Sequence, residues 1–282
     1  VVIRPTTILQ CSDVHFGRDA DLVQVAALEA LAGELSPDAI AIAGDLTQRA
    51  RHGEFQRALV FVDAMRRVAP TLVVPGNHDV EWWTTPFGVL GAAPKYVKYR
   101  RYFGDDLTPS LVLDRVVLCG ALTSYGVAAG SMTYNLNDMA VKGHLPAGET
   151  ERVRELFLAE PEHLLRVVVM HQNVLRGEIS RRMGLARWRG AWRNLMNSGA
   201  DLVLCGHDHQ EGAGTLPNGT VVSTSSTHTR RTRGGRPSAC NVVFATDETI
   251  TVQHRIWDAR GERFLVGPEQ VFPRVRRASA VA

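Results

Sequence analysis

Seven side chains of metal-binding type fall in five short stretches of this 282-residue chain. They are Asp13 and His15 in Ser-Asp-Val-His, Asp45 in Gly-Asp-Leu-Thr, Asn77 in Gly-Asn-His-Asp, His171 after Val-Val-Val-Met, and His207 and His209 in Cys-Gly-His-Asp-His. Carboxylate combined with imidazole suits manganese, iron or zinc better than calcium or magnesium. Seven candidates exceed what one ion needs, so the count points to a pair of metals. Singly, each stretch has a plainer explanation. An Asp-x-His can cap a helix, a Gly-Asp can make a turn, and a histidine in an apolar run more often fills the core. Five such stretches together are hard to obtain by accident.

The elements around them explain why they would meet. Most of the stretches follow a short apolar run that reads as a buried strand, and an α/β sheet collects its active site at strand ends. Thr7–Gln10, Ala39–Ala43 and Leu72–Val74 read as strands, separated by helical periodicity over Ala20–Leu35 and Gly53–Val68. Ser36-Pro37 stops the first helix and Pro75-Gly76 closes the third strand. This is a parallel crossover unit with polar groups at each carboxyl end. Residues 81–110, rich in aromatics, read as an insertion packed over the sheet. Leu111–Ala121 reads as a hairpin turning at Asp114-Arg115, Glu149–Ala159 as a helix and Leu165–Met170 as a strand. Val174–Ser198 reads as a basic helix, Leu202–Cys205 as a strand, and Thr220–Thr224, Asn241–Ala245 and Ile250–Trp257 as a second β region. The expected organisation is one domain over residues 1–273 and a disordered basic tail over 274–282.

Composition excludes little. A net charge of +3 does not by itself imply nucleic acid, and no apolar run reaches membrane-span length. Lys95, Lys98 and Lys142 are the only lysines, so the positive charge is almost all arginine, the better fork for phosphate; base composition of the genome gives the same bias. Cys11, Cys119, Cys205 and Cys240 lie in apolar stretches without paired spacing and read as buried reduced thiols. The start, Val-Val-Ile-Arg-Pro, does not read as a secretion signal. The expected location is cytoplasmic.

Asp13-Val14-His15, Gly44-Asp45, Gly76-Asn77-His78-Asp79, His171 and Gly206-His207-Asp208-His209 together resemble the motif series of the calcineurin-like metallophosphoesterase superfamily: D-x-H, GD, GNH(D/E), a lone His after a strand, and GH-x-H. The resemblance spans residues 7–210, and Gly44-Asp-Leu-Thr with the compact GH-x-H looks most like its bacterial class III cyclic-nucleotide phosphodiesterases. It implies an α/β fold, a four-layer αββα sandwich of two central mixed sheets flanked by helices, with a dinuclear metal site at the strand carboxyl edges. It further implies one metal on Asp13, His15, Asp45 and His209, another on Asp45, Asn77, His171 and His207, and a hydroxide bridging the two as nucleophile. His78 would serve the leaving oxygen, with Asp79 on its other ring nitrogen or capping a loop. Gln48 stands where purple acid phosphatases carry a metal-binding Tyr. Arg49 stands where Ser/Thr phosphatases grip phosphate, although Ala50 replaces the Gly that follows. Gln172 stands where relatives often have a second His.

Arg176, Arg181, Arg182, Arg187, Arg189 and Arg193, with Trp188 and Trp192, crowd the segment between the fourth and fifth stretches. Four explanations are open. It could be a lid gripping an anionic substrate, with Arg181 and Arg182 joining Asn77, His78 and Arg49 as substrate contacts. It could meet nucleic acid, lie on an anionic membrane, or be a solvated helix with its Trp residues inward. Three functions follow: a phosphodiesterase for 3',5'-cyclic nucleotides or other small phosphodiesters, a nuclease or nucleotide–lipid anhydride hydrolase with the same site, and a non-catalytic scaffold. The full ligand set and His78 weigh against the scaffold.

Overall fold

Two six-stranded sheets lie face to face in the computed structural model, which describes residues 4–81, 93–126 and 142–275. The first sheet has β1 (Thr6–Cys11), β2 (Ala39–Ile42) and β3 (Thr71–Val73) side by side in parallel. Antiparallel β10 (Ala239–Ala245), β11 (Thr249–Asp258) and β12 (Arg263–Pro273) extend it beyond β1. The second sheet runs β4 (Ser110–Val112), β5 (Val116–Gly120), β6 (Leu165–Val169), β7 (Leu202–Cys205), β9 (Val221–Thr224), β8 (Gly212–Thr215). Its middle four strands are parallel and its two edges antiparallel.

Strand alternation builds the layers. On β1, β2 and β6 the residues Ile8, Ala39, Ala41, Leu165, Val167 and Val169 point into the core between the sheets. Their neighbours Leu9, Ile40 and Ile42 instead meet Leu28, Leu31, Phe61 and Met65 of helices α1 (Leu22–Leu35) and α2 (His52–Val68). On the far side Val168 and Val203 meet Val153, Phe157 and Leu195 of α4 (Ala147–Ala159) and α5 (Trp188–Asn197). Period-2 burial on both faces of each sheet gives four layers, helix–sheet–sheet–helix, as expected. α1 begins where the Asp21 carboxylate accepts from the amides of Val23 and Gln24, and ends at Ser36 in a left-handed conformation. α3 (Val97–Phe103) belongs to the aromatic stretch: Tyr99 and the preceding Tyr96 are fully buried in one cluster with Phe55 of α2. Trp82, Trp83 and Phe87 lie outside the described residues.

Beneath the strand ends a buried polar network ties the sheets. Gln10 donates to the carbonyl of Cys205 at 2.8 Å, and Asn241 donates to Ser223 Oγ at 2.8 Å and the Thr224 carbonyl at 2.9 Å. Each of these groups is costly to bury alone, so the network holds the two sheets in one relative register.

Three expectations change. The basic segment is helical only over Trp188–Asn197; residues before it form loop, broken where Gly184 passes so close to Asn173 that a Cβ would meet its Oδ1 at 2.3 Å and its backbone N at 2.8 Å. Strands β8 and β12 were not expected. Arg274, assigned to the tail, is buried: its guanidinium meets Asp201 at 3.1 Å and the Leu164 carbonyl at 2.8 Å. The rest of the proposed tail beyond Val275 lies outside the described residues.

Candidate metal centre

Each of the seven residues stands two to four positions beyond a parallel strand, so the two sheets present them from facing edges. Asp13 follows β1, Asp45 follows β2, Asn77 follows β3, His171 follows β6 and His207 follows β7. The loops are bonded to one another: the Asp13 amide donates to the Gly44 carbonyl, the His15 amide to Asp45, and the Gly206 amide to His171. Asp13, His15, Asp45, His207 and His209 all have φ between 48 and 72°. Five non-glycine residues in the left-handed region cost energy, and such strain concentrates where side chains must be aimed. Gly76 permits a close approach to the bridging carboxylate, for a Cβ there would sit 2.1 Å from Asp45 Oδ1 and 2.2 Å from its amide nitrogen.

Two groups of donor atoms result. Asp13, His15, Asp45 and His209 form one, and Asp45, His171 and His207 the other, with Asp45 in both. Asn77 joins the second, its Oδ1 3.1 Å from His171 Nε2. His15 Nε2 faces His209 Nε2 at 3.1 Å, and His207 Nδ1 faces His171 Nε2 at 3.2 Å. Asp45 Oδ2 lies 3.3 Å from His171 Nε2 and 3.7 Å from His15 Nε2. Outer partners fix the rings: His171 donates from Nδ1 to the Ala43 carbonyl at 2.7 Å, and His15 directs Nδ1 at the Thr47 carbonyl at 3.3 Å, leaving each Nε2 inward.

The donor set suits cations. Asp13 Oδ1 is buried without a hydrogen-bond partner and lies 3.1 Å from His209 Nε2. Imidazole nitrogens facing each other must share protons or a metal. Burial disfavours charge on Asp45, yet His171 and His78 beside it hold its carboxyl well below the usual carboxylate range. Burial likewise opposes the positive form of His171, but Asp45 prevails and carries its pKa up to about 9. His207, buried beside the charged His171, is pushed down to about 3. A cation entering the second group must therefore displace the His171 proton.

A cleft opens over these atoms, lined by Asp45, Asn77, His78, His207 and His209 and by Lys142, Arg182 and Arg233. His78 donates its backbone amide to Asp45 Oδ1 at 2.8 Å, and its Nδ1 pairs with the Gln48 carbonyl at 2.8 Å. Asp79 therefore does not hold the His78 ring. Its carboxylate accepts from the amides of Leu46, Thr47 and Gly76 and from Thr47 Oγ1, bracing the loops after β2 and β3. Asp79→Ala should strand three buried donors and destabilise by about 3 kcal/mol or more, read as a lower urea midpoint. A loss of turnover with an unchanged midpoint would return Asp79 to the chemistry.

Of the arginines expected at substrate, Arg182 lines the cleft; Arg49 and Arg181 do not. The Arg49 amide instead donates to Glu54 at the start of α2. The helical part of the basic segment packs on the outer face of the second sheet. There Trp192 donates to the Val174 carbonyl at 2.7 Å, and the Arg189 guanidinium stacks 4.4 Å from the centre of the Trp188 ring. Lys142 and Arg233 were missed: Lys142 is a single cation, and Arg233 is one of four arginines over residues 230–236 with no apolar period to place them.

The sequence profile described as calcineurin-like phosphoesterase matches residues 6–211. No curated protein sequence matches the chain. Among solved structures, a dimetal phosphatase from Danio rerio superposes with a TM-score of 0.66 at 12% identity, covering 97% of this chain and 100% of that one. A purple acid phosphatase from yellow lupin (Lupinus luteus) seeds gives 0.63 at 12% identity, covering 95% of this chain and 53% of that one. PhoD gives 0.64 at 10% identity, covering 98% and 71%. At these identities the likeness is one of fold.

Proposed function

Because the chain belongs to the calcineurin-like phosphoesterase family, we propose that it is a dinuclear metallophosphodiesterase acting on small anionic phosphodiesters, the 3',5'-cyclic nucleotides being the simplest of them. The observation that carries this reading is the pair of donor groups sharing Asp45. One ion would be held by Asp13, His15, Asp45 and His209, the other by Asp45, Asn77, His171 and His207. The mixture of imidazole, carboxylate and one amide oxygen favours manganese, iron or zinc. Such ions, once bound, supply Lewis-acid charge and lower the pKa of water to near neutrality.

The protein's own groups do the rest. Asp45 and Asp13 stay ionised because the surrounding imidazoles stabilise their charge. His78, with Nδ1 held by the Gln48 carbonyl, has Nε2 left to protonate or stabilise the leaving oxygen. Asn77 brings a neutral oxygen, which leaves its ion more electrophilic than a further carboxylate would. Gln48 in place of a tyrosine removes the ligand that colours purple acid phosphatases. Contact with nucleic acid or an anionic membrane would fall to the exposed arginines of residues 176–193. The half-buried Trp192, bonded to the Val174 carbonyl, and the stacking of Arg189 on Trp188 favour the smaller-substrate reading. A cytoplasmic location fits four buried thiols, of which Cys11 is pushed by burial up to about 12 and Cys205 up to about 11. No helix among the described residues is long and apolar enough to cross a membrane.

The test is a manganese-supplemented assay against phosphomonoesters, linear diesters, cyclic nucleotides, DNA and nucleotide–lipid anhydrides. Turnover of small diesters that a chelator abolishes and manganese restores is expected. Full metal occupancy without hydrolysis of any of them would leave the scaffold reading standing.

A further inference from the structure

One patch of the cleft over the donor groups is not polar. Met183 is the single apolar side chain among its described lining residues, and it is only 8% exposed. Gly184 lines the cleft beside it and adds a stretch of bare backbone. Neither the metal ligands nor the role assigned to His78 makes use of this patch. The cavity measures about 170 Å3, below the size that takes a drug-sized molecule and suited to a phosphoryl group with one substituent.

Backbone bonds on either side of Met183 fix the patch in place. Asn173 is buried and stands two positions past His171. Its Nδ2 donates to the Arg182 carbonyl at 3.3 Å, and its own carbonyl accepts the Gly184 amide at 3.2 Å. Gly143 donates its amide to the Gly184 carbonyl and accepts the Ala186 amide, each at 2.9 Å. Residue 184 has no room for a side chain, because a Cβ there would meet Asn173 Oδ1 at 2.3 Å, so the backbone beside Met183 stays bare. Leu185, the next residue, anchors the stretch in the core under α4 and α5. Met183 is thereby set at a fixed place relative to the ligand His171.

We propose that Met183 and the Gly184 backbone form a shelf for a planar ring on the substrate. The site then selects phosphodiesters that carry an aromatic ring, an aryl group or a nucleobase, over those that carry only small alkyl groups. The proposal rests on the metallophosphodiesterase reading above and makes Met183 a specificity-determining residue for it. A ring laid against a thioether gains sulfur–aromatic attraction and takes apolar surface out of water, whereas a methyl group at the same place gains little of either. An unbranched side chain with three rotatable bonds also adapts to rings of different outline, so the shelf selects for a ring and not for one particular ring. Asn173 is a positioning residue that sets the shelf.

Calorimetry on the manganese-loaded protein with phenylphosphonate and methylphosphonate isolates the shelf. The two probes differ only in the substituent, and neither has an ester bond to hydrolyse. Wild type should bind phenylphosphonate about threefold to tenfold more tightly than methylphosphonate. Met183→Gln, of similar length but polar, should abolish that preference through a loss of phenylphosphonate affinity alone, with methylphosphonate affinity and metal content unchanged. Met183→Leu keeps the apolar surface and should keep most of the preference. No preference in wild type, a preference that Met183→Gln retains or Met183→Leu loses, or equal losses for both probes would overturn the shelf while leaving the phosphodiesterase intact. If manganese-loaded wild type binds neither probe and hydrolyses no diester, the parent reading falls and this one with it.

Discussion

His78→Ala is expected to retain both metals and to lose roughly two to four decades of turnover, the range for a general acid or base. The retention follows from the backbone. His78 supports Asp45 through its amide, 2.8 Å from Oδ1, and alanine keeps that donor. The ring contributes separately, with Nδ1 anchored on the Gln48 carbonyl. If the ring's task is to protonate the leaving oxygen, the loss should shrink for substrates that expel nitrophenolate, which needs no proton. Parallel assays on a nitrophenyl diester and an alkyl diester decide it. An equal loss on both would move His78 from the leaving group to the non-bridging phosphoryl oxygens.

The ligand stretches were legible because their signal is local and repeated. An apolar run followed by Gly-Asp, Gly-Asn-His or Gly-His-x-His marks a strand and what its end carries, and the parallel order of β1, β2 and β3 follows from the helices between them. The four layers were legible only through the family resemblance, because the sequence shows apolar runs and not which face of each strand they cover. What escaped lacked such a period. β12 is an exposed edge strand containing Gly267 and Pro268, with little apolar alternation to betray it. Asp79 next to His78 fits a catalytic partner and a loop brace equally well on paper. Only the fold decides, by turning its carboxylate toward the amides of residues 46, 47 and 76. The basic segment reads as one helix by charge, but Gly177 and Gly184 were the breakers, each forced by a close neighbour. Arg233 and Lys142 reach the cleft from segments distant in sequence, and neither a lone lysine nor a run of arginines without apolar period carries a sign of where it ends.

The shared carboxylate is where the account is most exposed. Asp45 Oδ1 accepts the His78 amide, while Oδ2 faces His171 and His15, one from each donor group. In Asp45→Asn the amide oxygen would keep the bond to His78 and the NH2 would point at the cations, so charge is lost and a donor replaces an acceptor. Turnover should fall to background. His209→Ala, by contrast, removes a ligand from the first group only. The decisive measurement is metal content per chain, by elemental analysis after manganese loading and gel filtration. Wild type should carry two ions, His209→Ala should lose mainly one, and Asp45→Asn should lose both together. Two firmly held ions in Asp45→Asn would contradict a centre built on a bridging Asp45.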